Sequence, residues 1–160
     1  MNTTLCYIEK DGDYLLLHRV KKEGDINRDK WIGVGGKFEA GESPEDCLLR
    51  EVREETGLEL THYQYRGVVT FVSDLCETEY MHLFWADAFL GRPFGRAECA
   101  EGTLEWVPIA RMLELPHWKG DEIFLRLIRE KSPFFSLKLV YDKGELRQAV
   151  LDGRELACRQ

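Results

Sequence analysis

A chain of 160 residues with a hydrophobic fraction of 44% and a charged fraction of 32% is long enough to close one core without metal or disulfide staples. Its net charge of −7 disfavours binding to a nucleic-acid polymer, which draws affinity from a basic surface, and no run approaches the roughly 20 apolar residues that span a bilayer. The five cysteines, Cys6, Cys47, Cys76, Cys99 and Cys158, contain no Cys-x-x-Cys pair, which disfavours zinc and disulfide frameworks and predicts reduced thiols in the cytoplasm.

The opening Met1-Asn2-Thr3-Thr4-Leu5 has no basic leader region and runs into a strand pattern, so no secretory signal is expected. Residues 5–9 and 14–19 read as strands joined at Lys10-Asp11-Gly12-Asp13, where Asp-Gly favours a tight hairpin. Residues 21–30 are polar and contain glycine, as a surface loop does. Trp31-Ile32-Gly33-Val34-Gly35-Gly36 is an apolar run that breaks into a glycine turn. Ser43-Pro44-Glu45-Asp46 opens a helix, with serine as cap, proline in the first turn and acids beside it. Gly57 ends it. Further strands are predicted at 65–72, 80–89 and 104–107, and a second helix at 121–131, halted by Ser132-Pro133. A last hairpin pairs 134–141 with 145–151 through Asp142-Lys143-Gly144. With no repeat or linker, residues 1–160 read as one domain of the α/β (α+β) class, a mixed sheet flanked by helices.

On the first helix, with Glu51 set to zero at about 100° per residue, Glu55 falls near +40° and Glu54 near −60°. Leu48, Val52, Thr56 and Leu49 occupy roughly +60° to +160°, an apolar stripe beside the acids. The three carboxylates thus share one sector at the edge of the buried face. Like charges at these spacings repel, so a cation is expected among them. Oxygen donors of this kind suit a hard ion such as Mg²⁺ or Mn²⁺, and Arg50 is placed to neutralise or orient a carboxylate. A solvated acidic face is the ordinary reading of such a helix; the wider pattern overturns it.

From Gly36 the chain runs five residues to Glu42, seven more, then Arg50-Glu51-Val52-x-Glu54-Glu55-x-Gly57-Leu58. This resembles the Nudix box at every fixed position, a coincidence expected about once in 10⁸ starting positions. The resemblance implies an αβα sandwich with a loop–helix–loop, and a hydrolase that cuts a nucleoside diphosphate linkage with Mg²⁺, for which Mn²⁺ can substitute. It implies that Glu51, Glu54 and Glu55 ligate metal with the carbonyl of Gly35, that Arg50 orients the cluster, and that Glu42 supports it. Lys37 is placed to meet a phosphate or to pin a carboxylate, and Arg19 joins the substrate-binding set. The general base is Glu51, Glu55 or a loop acid. Glu101 resembles such an acid and is counted with the catalytic and metal-binding residues, with Glu98 in competition.

Trp31-x-Gly33-x-Gly35-Gly36-Lys37 and Leu115-Pro116-x-Trp118-x-Gly120-Asp121 look like the MutT-like branch, which acts on oxidised purine nucleoside triphosphates such as 8-oxo-dGTP. By that resemblance Trp118 stacks on a base and Asp121 hydrogen-bonds its edge. The plain alternatives are a core tryptophan and a helix cap. Ile32 departs from the branch, whose animal members carry asparagine there, and puts its purine selectivity in question. A small nucleotide is the expected partner, with no membrane partner; a homodimer is compatible with the family.

Overall fold

The computed structural model describes residues 1–20, 23–94 and 102–157. The first hairpin joins β1 (Asn2–Lys10) to β2 (Asp13–His18). Its turn residues Asp11 and Gly12 take φ of 50° and 81°, the left-handed conformations that a two-residue hairpin demands. A short β3 (Trp31–Ile32) precedes the glycine segment, and α1 (Pro44–Thr56) follows it. Ser43 Oγ accepts from the Asp46 N–H at 3.1 Å while the Asp46 carboxylate accepts from the Ser43 N–H at 3.0 Å, a reciprocal cap. Gly57, at φ 79°, donates back to the Arg53 carbonyl and closes the helix.

Next come β4 (Glu59–Ser73) and β5 (Cys76–Leu90), a 15-residue strand on each side of a two-residue turn. Both are longer than the 65–72 and 80–89 expected. Register shifts between Leu60 and His62, His62 and Tyr63, and Tyr65 and Gly67 break the alternation that marks a strand in sequence. After β6 (Thr103–Pro108) comes a short 3₁₀ segment (Ile109–Glu114), then α2 (Asp121–Arg129), β7 (Phe135–Asp142), β8 (Glu145–Leu151) and β9 (Arg154–Leu156). The 3₁₀ segment and β9 were not anticipated; Asp152 and Gly153, at φ 48° and 81°, turn the chain from β8 into β9.

The strands build one nine-stranded sheet in the order β3-β2-β1-β5-β4-β7-β8-β9, with β6 along β2 as well. The pairs β1·β5 and β4·β7 are parallel and the rest antiparallel. Alternation along β1 sends Cys6 and Ile8 to one face and Tyr7 to the other. On the first face they meet Leu48 and Val52 of α1. On the second, Tyr7 meets Phe124 and Ile128 of α2 with Leu83 and Leu137. The result is the helix–sheet–helix sandwich expected. Among the described residues no helix is long and apolar enough to cross a membrane.

Candidate active site

The site begins with the glycine segment. Residues 33–38 run antiparallel to β1: Thr4 N–H donates to Gly36 O at 2.9 Å, Val34 N–H to Cys6 O at 3.0 Å and Phe38 N–H to Asn2 O at 3.1 Å. A Cβ on Gly35 would stand 1.9 Å from the Thr4 carbonyl oxygen, and one on Gly36 would stand 2.4 Å from the Glu51 carboxyl carbon. Only glycine lets the backbone pass between β1 and α1 there.

This crossing alters the expected geometry of α1. Cys47, about 40° from Glu51 on the side away from Leu48, is fully buried beneath the loop along with Leu48, Val52 and Thr56. Glu51 therefore lies inside the buried arc rather than at its edge, its side chain 16% exposed, whereas Glu54 is 59% exposed. Glu51 and Glu55 line a cavity of about 460 Å³ together with Gly35, Gly36 and Lys37. Glu54 points outside it.

Arg50 supplies the cation that the repelling carboxylates require. Its Nε and Nη2 donate to both oxygens of Glu42 at 2.7 and 2.8 Å, and Nη1 donates to Glu51 at 2.7 Å and Glu54 at 3.1 Å. Nη2 also reaches the Lys37 carbonyl at 3.0 Å. The Arg50 hydrogen bond, helped by the Glu39 N–H, holds the Glu42 carboxyl down at about 2. Glu55 is fixed separately: its Oε2 accepts from the Gly35 N–H at 3.0 Å. Among the described residues, no three acidic, imidazole or thiol groups converge on one point. The donor chemistry nevertheless fits a hard cation, with carboxylates beside a glycine backbone and a gap at Gly36 that a Cβ would fill against Glu51. Lys37 is exposed on the loop, lines the cavity and forms no salt bridge with a carboxylate among the described residues.

The same cavity is lined by Trp118, Asp121, Asn27, Ile32 and Arg19. Trp118 belongs to the core and also borders the cavity. It is 6% exposed and packs edge-on against Phe71 and Tyr141 with centroids at 5.1 and 5.0 Å, so it is core. Its rim also lines the cavity, with Lys30 Nζ over the ring at 4.4 Å and the indole N–H donating to Asn27 Oδ1 at 2.6 Å. The helix-cap alternative for Asp121 is corrected: Gly120 holds the cap position without a side-chain bond, and Asp121 is buried in the first turn. Burial pushes its carboxyl up to about 7, opposed by His117, the Trp118 backbone and Lys30. Arg19 Nε donates to Asp25 Oδ2 at 2.7 Å. Glu101 and Glu98 lie outside the described residues.

Among the cavity residues that went unnoticed in the sequence are Asn27, Thr3 and Glu79. Asn27 sits in a polar loop with no pattern to betray it. Glu79 had a signal, since Glu79, Met81 and Leu83 alternate onto one face of β5.

The fold and its glutamate helix define the class, a MutT-like hydrolase architecture. The MutT protein of Bacillus halodurans superposes with a TM-score of 0.83 at 27% identity, covering 94% of this chain and 97% of that one. In sequence, the NUDIX domain profile matches residues 2–128. The oxidized purine nucleoside triphosphate hydrolase of Danio rerio is 34% identical over 133 residues, 82% of this chain and 81% of its own. The Nudix hydrolase YvcI of Bacillus subtilis is 36% identical over 122 residues, covering 74% and 72%. The chain belongs to the Nudix family, as a nucleotide pyrophosphohydrolase.

Proposed function

We propose that this chain is a cytoplasmic, single-domain, Mg²⁺-dependent enzyme that converts a purine nucleoside triphosphate, an oxidised purine foremost, to the monophosphate and pyrophosphate. The observation that carries the reading is the shared cavity, in which Glu51, Glu55 and Lys37 stand with Trp118 and Asp121. Its volume of about 460 Å³ lies within the range of small-ligand pockets. One substrate filling it meets carboxylates and a lysine at its phosphates and an aromatic rim with a carboxyl at its base.

Glu51, Glu54, Glu55 and the Gly35 carbonyl are the proposed metal donors. A bound divalent ion would neutralise charge on the phosphates and acidify water. Arg50 keeps Glu42, Glu51 and Glu54 oriented by its fork of hydrogen bonds. Water attacks the α- or β-phosphorus, the bond from that phosphorus to the oxygen bridging the two breaks, the bridging oxygen leaves with the other phosphoryl group, and a carboxylate of Glu51 or Glu55, or the loop acid Glu101, takes the water's proton. Lys37 and Arg19 meet the phosphates. Trp118 contacts the base and Asp121 reads its edge. A second reading, hydrolysis of another nucleotide derivative, is favoured by Ile32, which lines the cavity but offers no hydrogen bond to a base.

Release of pyrophosphate and of nucleoside monophosphate, measured across normal and oxidised nucleoside triphosphates, nucleotide sugars and dinucleoside polyphosphates, tests this. The expected result is release from purine triphosphates with Mg²⁺ or Mn²⁺ and none after thorough chelation. Full activity under chelation, or turnover confined to the non-triphosphate substrates, overturns it.

A further inference from the structure

Two polar groups in the cavity have no role in the chemistry above. Glu79 extends from β5 on the side of Met81, paired across the strands with Phe71. Burial pushes its carboxyl above the usual range; the neighbouring Thr3 hydroxyl and the charges of Lys37, the N-terminus and Arg19 pull the other way. These cations are not closed onto it. The terminal ammonium lies 3.6 Å from Glu77, and Arg19 bonds Asp25 at 2.7 Å. Thr3 is 7% exposed, and its Oγ1, although the residue lines the cavity, makes no hydrogen bond of ordinary geometry. A buried hydroxyl with no hydrogen bond of ordinary geometry, beside a half-buried carboxylate with no ion pair among the described residues, marks a place where a ligand supplies hydrogen bonds.

Position identifies which part of the ligand that is. Phe71, across from Glu79, packs on Trp118 at 5.1 Å and so belongs to the base side. Thr3 is bridged to Lys37, in the loop that borders Glu51. A nucleotide with its base at Trp118 and its phosphates at Glu51 and Glu55 carries its sugar past Thr3 and Glu79. A ribose offers two adjacent hydroxyls there; a carboxylate accepts through two oxygens, and a threonine hydroxyl both donates and accepts. We infer that Glu79 and Thr3 form a ribose subsite that grips the 2′,3′-diol, so that this chain selects ribonucleotides over deoxyribonucleotides. The inference rests on the nucleotide reading above, and it adds a sugar preference to it.

Binding of guanosine monophosphate and its 2′-deoxy and 3′-deoxy forms to the full chain, followed by calorimetry in Mg²⁺, tests this without turnover, since a monophosphate has no diphosphate linkage to cut. Each deoxy form is expected to bind about tenfold more weakly or worse, the size of a hydrogen bond to a charged group. Glu79→Gln and Thr3→Val should each shrink the gap, mainly by weakening the ribonucleotide. Equal binding of the three ligands to the unaltered chain overturns the subsite. So does a gap unchanged in both variants, or a Glu79→Gln effect confined to the choice of base. Discrimination as expected, with no pyrophosphate released from any triphosphate, upholds the subsite and sinks the triphosphatase proposal alone.

Discussion

Asp121 shows what burial does to a single side chain. Its carboxyl ordinarily titrates at 3.8 and in the fold at about 7. Between those values the folded chain holds a proton that the unfolded chain has released. The contribution of Asp121 to stability is therefore fullest below about pH 4 and is lost as pH rises toward about 7. Asp121→Asn removes that dependence, so its melting temperature should gain on the unaltered chain between about pH 5 and pH 8; a constant difference over that range refutes the assignment. In the cavity a protonated Asp121 donates and accepts, while the ionised form only accepts. Trp118 carries a double expectation. Trp118→Ala should lower stability by about 3–5 kcal/mol, because the ring fills space against Phe71 and Tyr141. It should also raise KM for purine triphosphates by roughly 5- to 150-fold, with kcat changed less. A normal KM in the surviving enzyme would leave Trp118 as core only.

At the scale of elements, α1 and the glycine segment act as one unit. The reciprocal cap at Ser43 and the left-handed Gly57 set the length of α1, and the pairing of residues 33–38 with β1 sets what lies over its acidic side. Two substitutions separate these contributions. Glu54→Gln changes a largely exposed side chain and relieves a like-charge contact, so the melting temperature should hold or rise slightly. Its turnover should fall by orders of magnitude if Glu54 ligates metal, and full activity would make it incidental. Gly36→Ala forces a Cβ to 2.4 Å from the Glu51 carboxyl carbon, so the carboxylate must move. Turnover should drop by more than about tenfold while circular dichroism stays native. Normal turnover would mean that the position of Glu51 is not critical.

The whole molecule brings distant stretches of chain to one cavity. The parallel pair β1·β5 sets Thr3 beside Met81, and β4 carries Phe71 to Glu79. Trp118 and Asp121, some eighty residues beyond Lys37, line the same space. A ligand that binds only this assembled site stabilises the entire fold. Mg²⁺ at about a hundred times its dissociation constant should add about 2.7 kcal/mol, or roughly 5–11 °C in melting temperature for a domain of this size. The double variant Glu51→Gln, Glu55→Gln should lose the increment. A melting temperature indifferent to Mg²⁺ in the unaltered chain, or an equal rise in the double variant, would place the binding elsewhere.

Local chemistry made much of this legible from sequence. The ends of α1 were readable because Ser43, Pro44 and Gly57 act on the nearest turn of backbone, and the first hairpin because Asp11-Gly12 favours left-handed backbone within two residues. The glutamates could be placed on one side of α1 because helical spacing is intrinsic to the chain. What covers that side was not legible. Cys47 is buried and Glu51 partly covered by a loop whose path depends on hydrogen bonds to β1, some thirty residues away in sequence. The length of β4 and β5 was hidden because bulges shift the alternation and only pairing across the sheet restores it. Glu79 and Asn27 joined the cavity through sheet register and loop packing, which depend on contacts between residues far apart in the chain. Sequence alone thus identified the box, its carboxylates and the helix that carries them; tertiary structure decided which of those carboxylates face the cavity and what shares it, because burial belongs to the assembled fold and to no single segment.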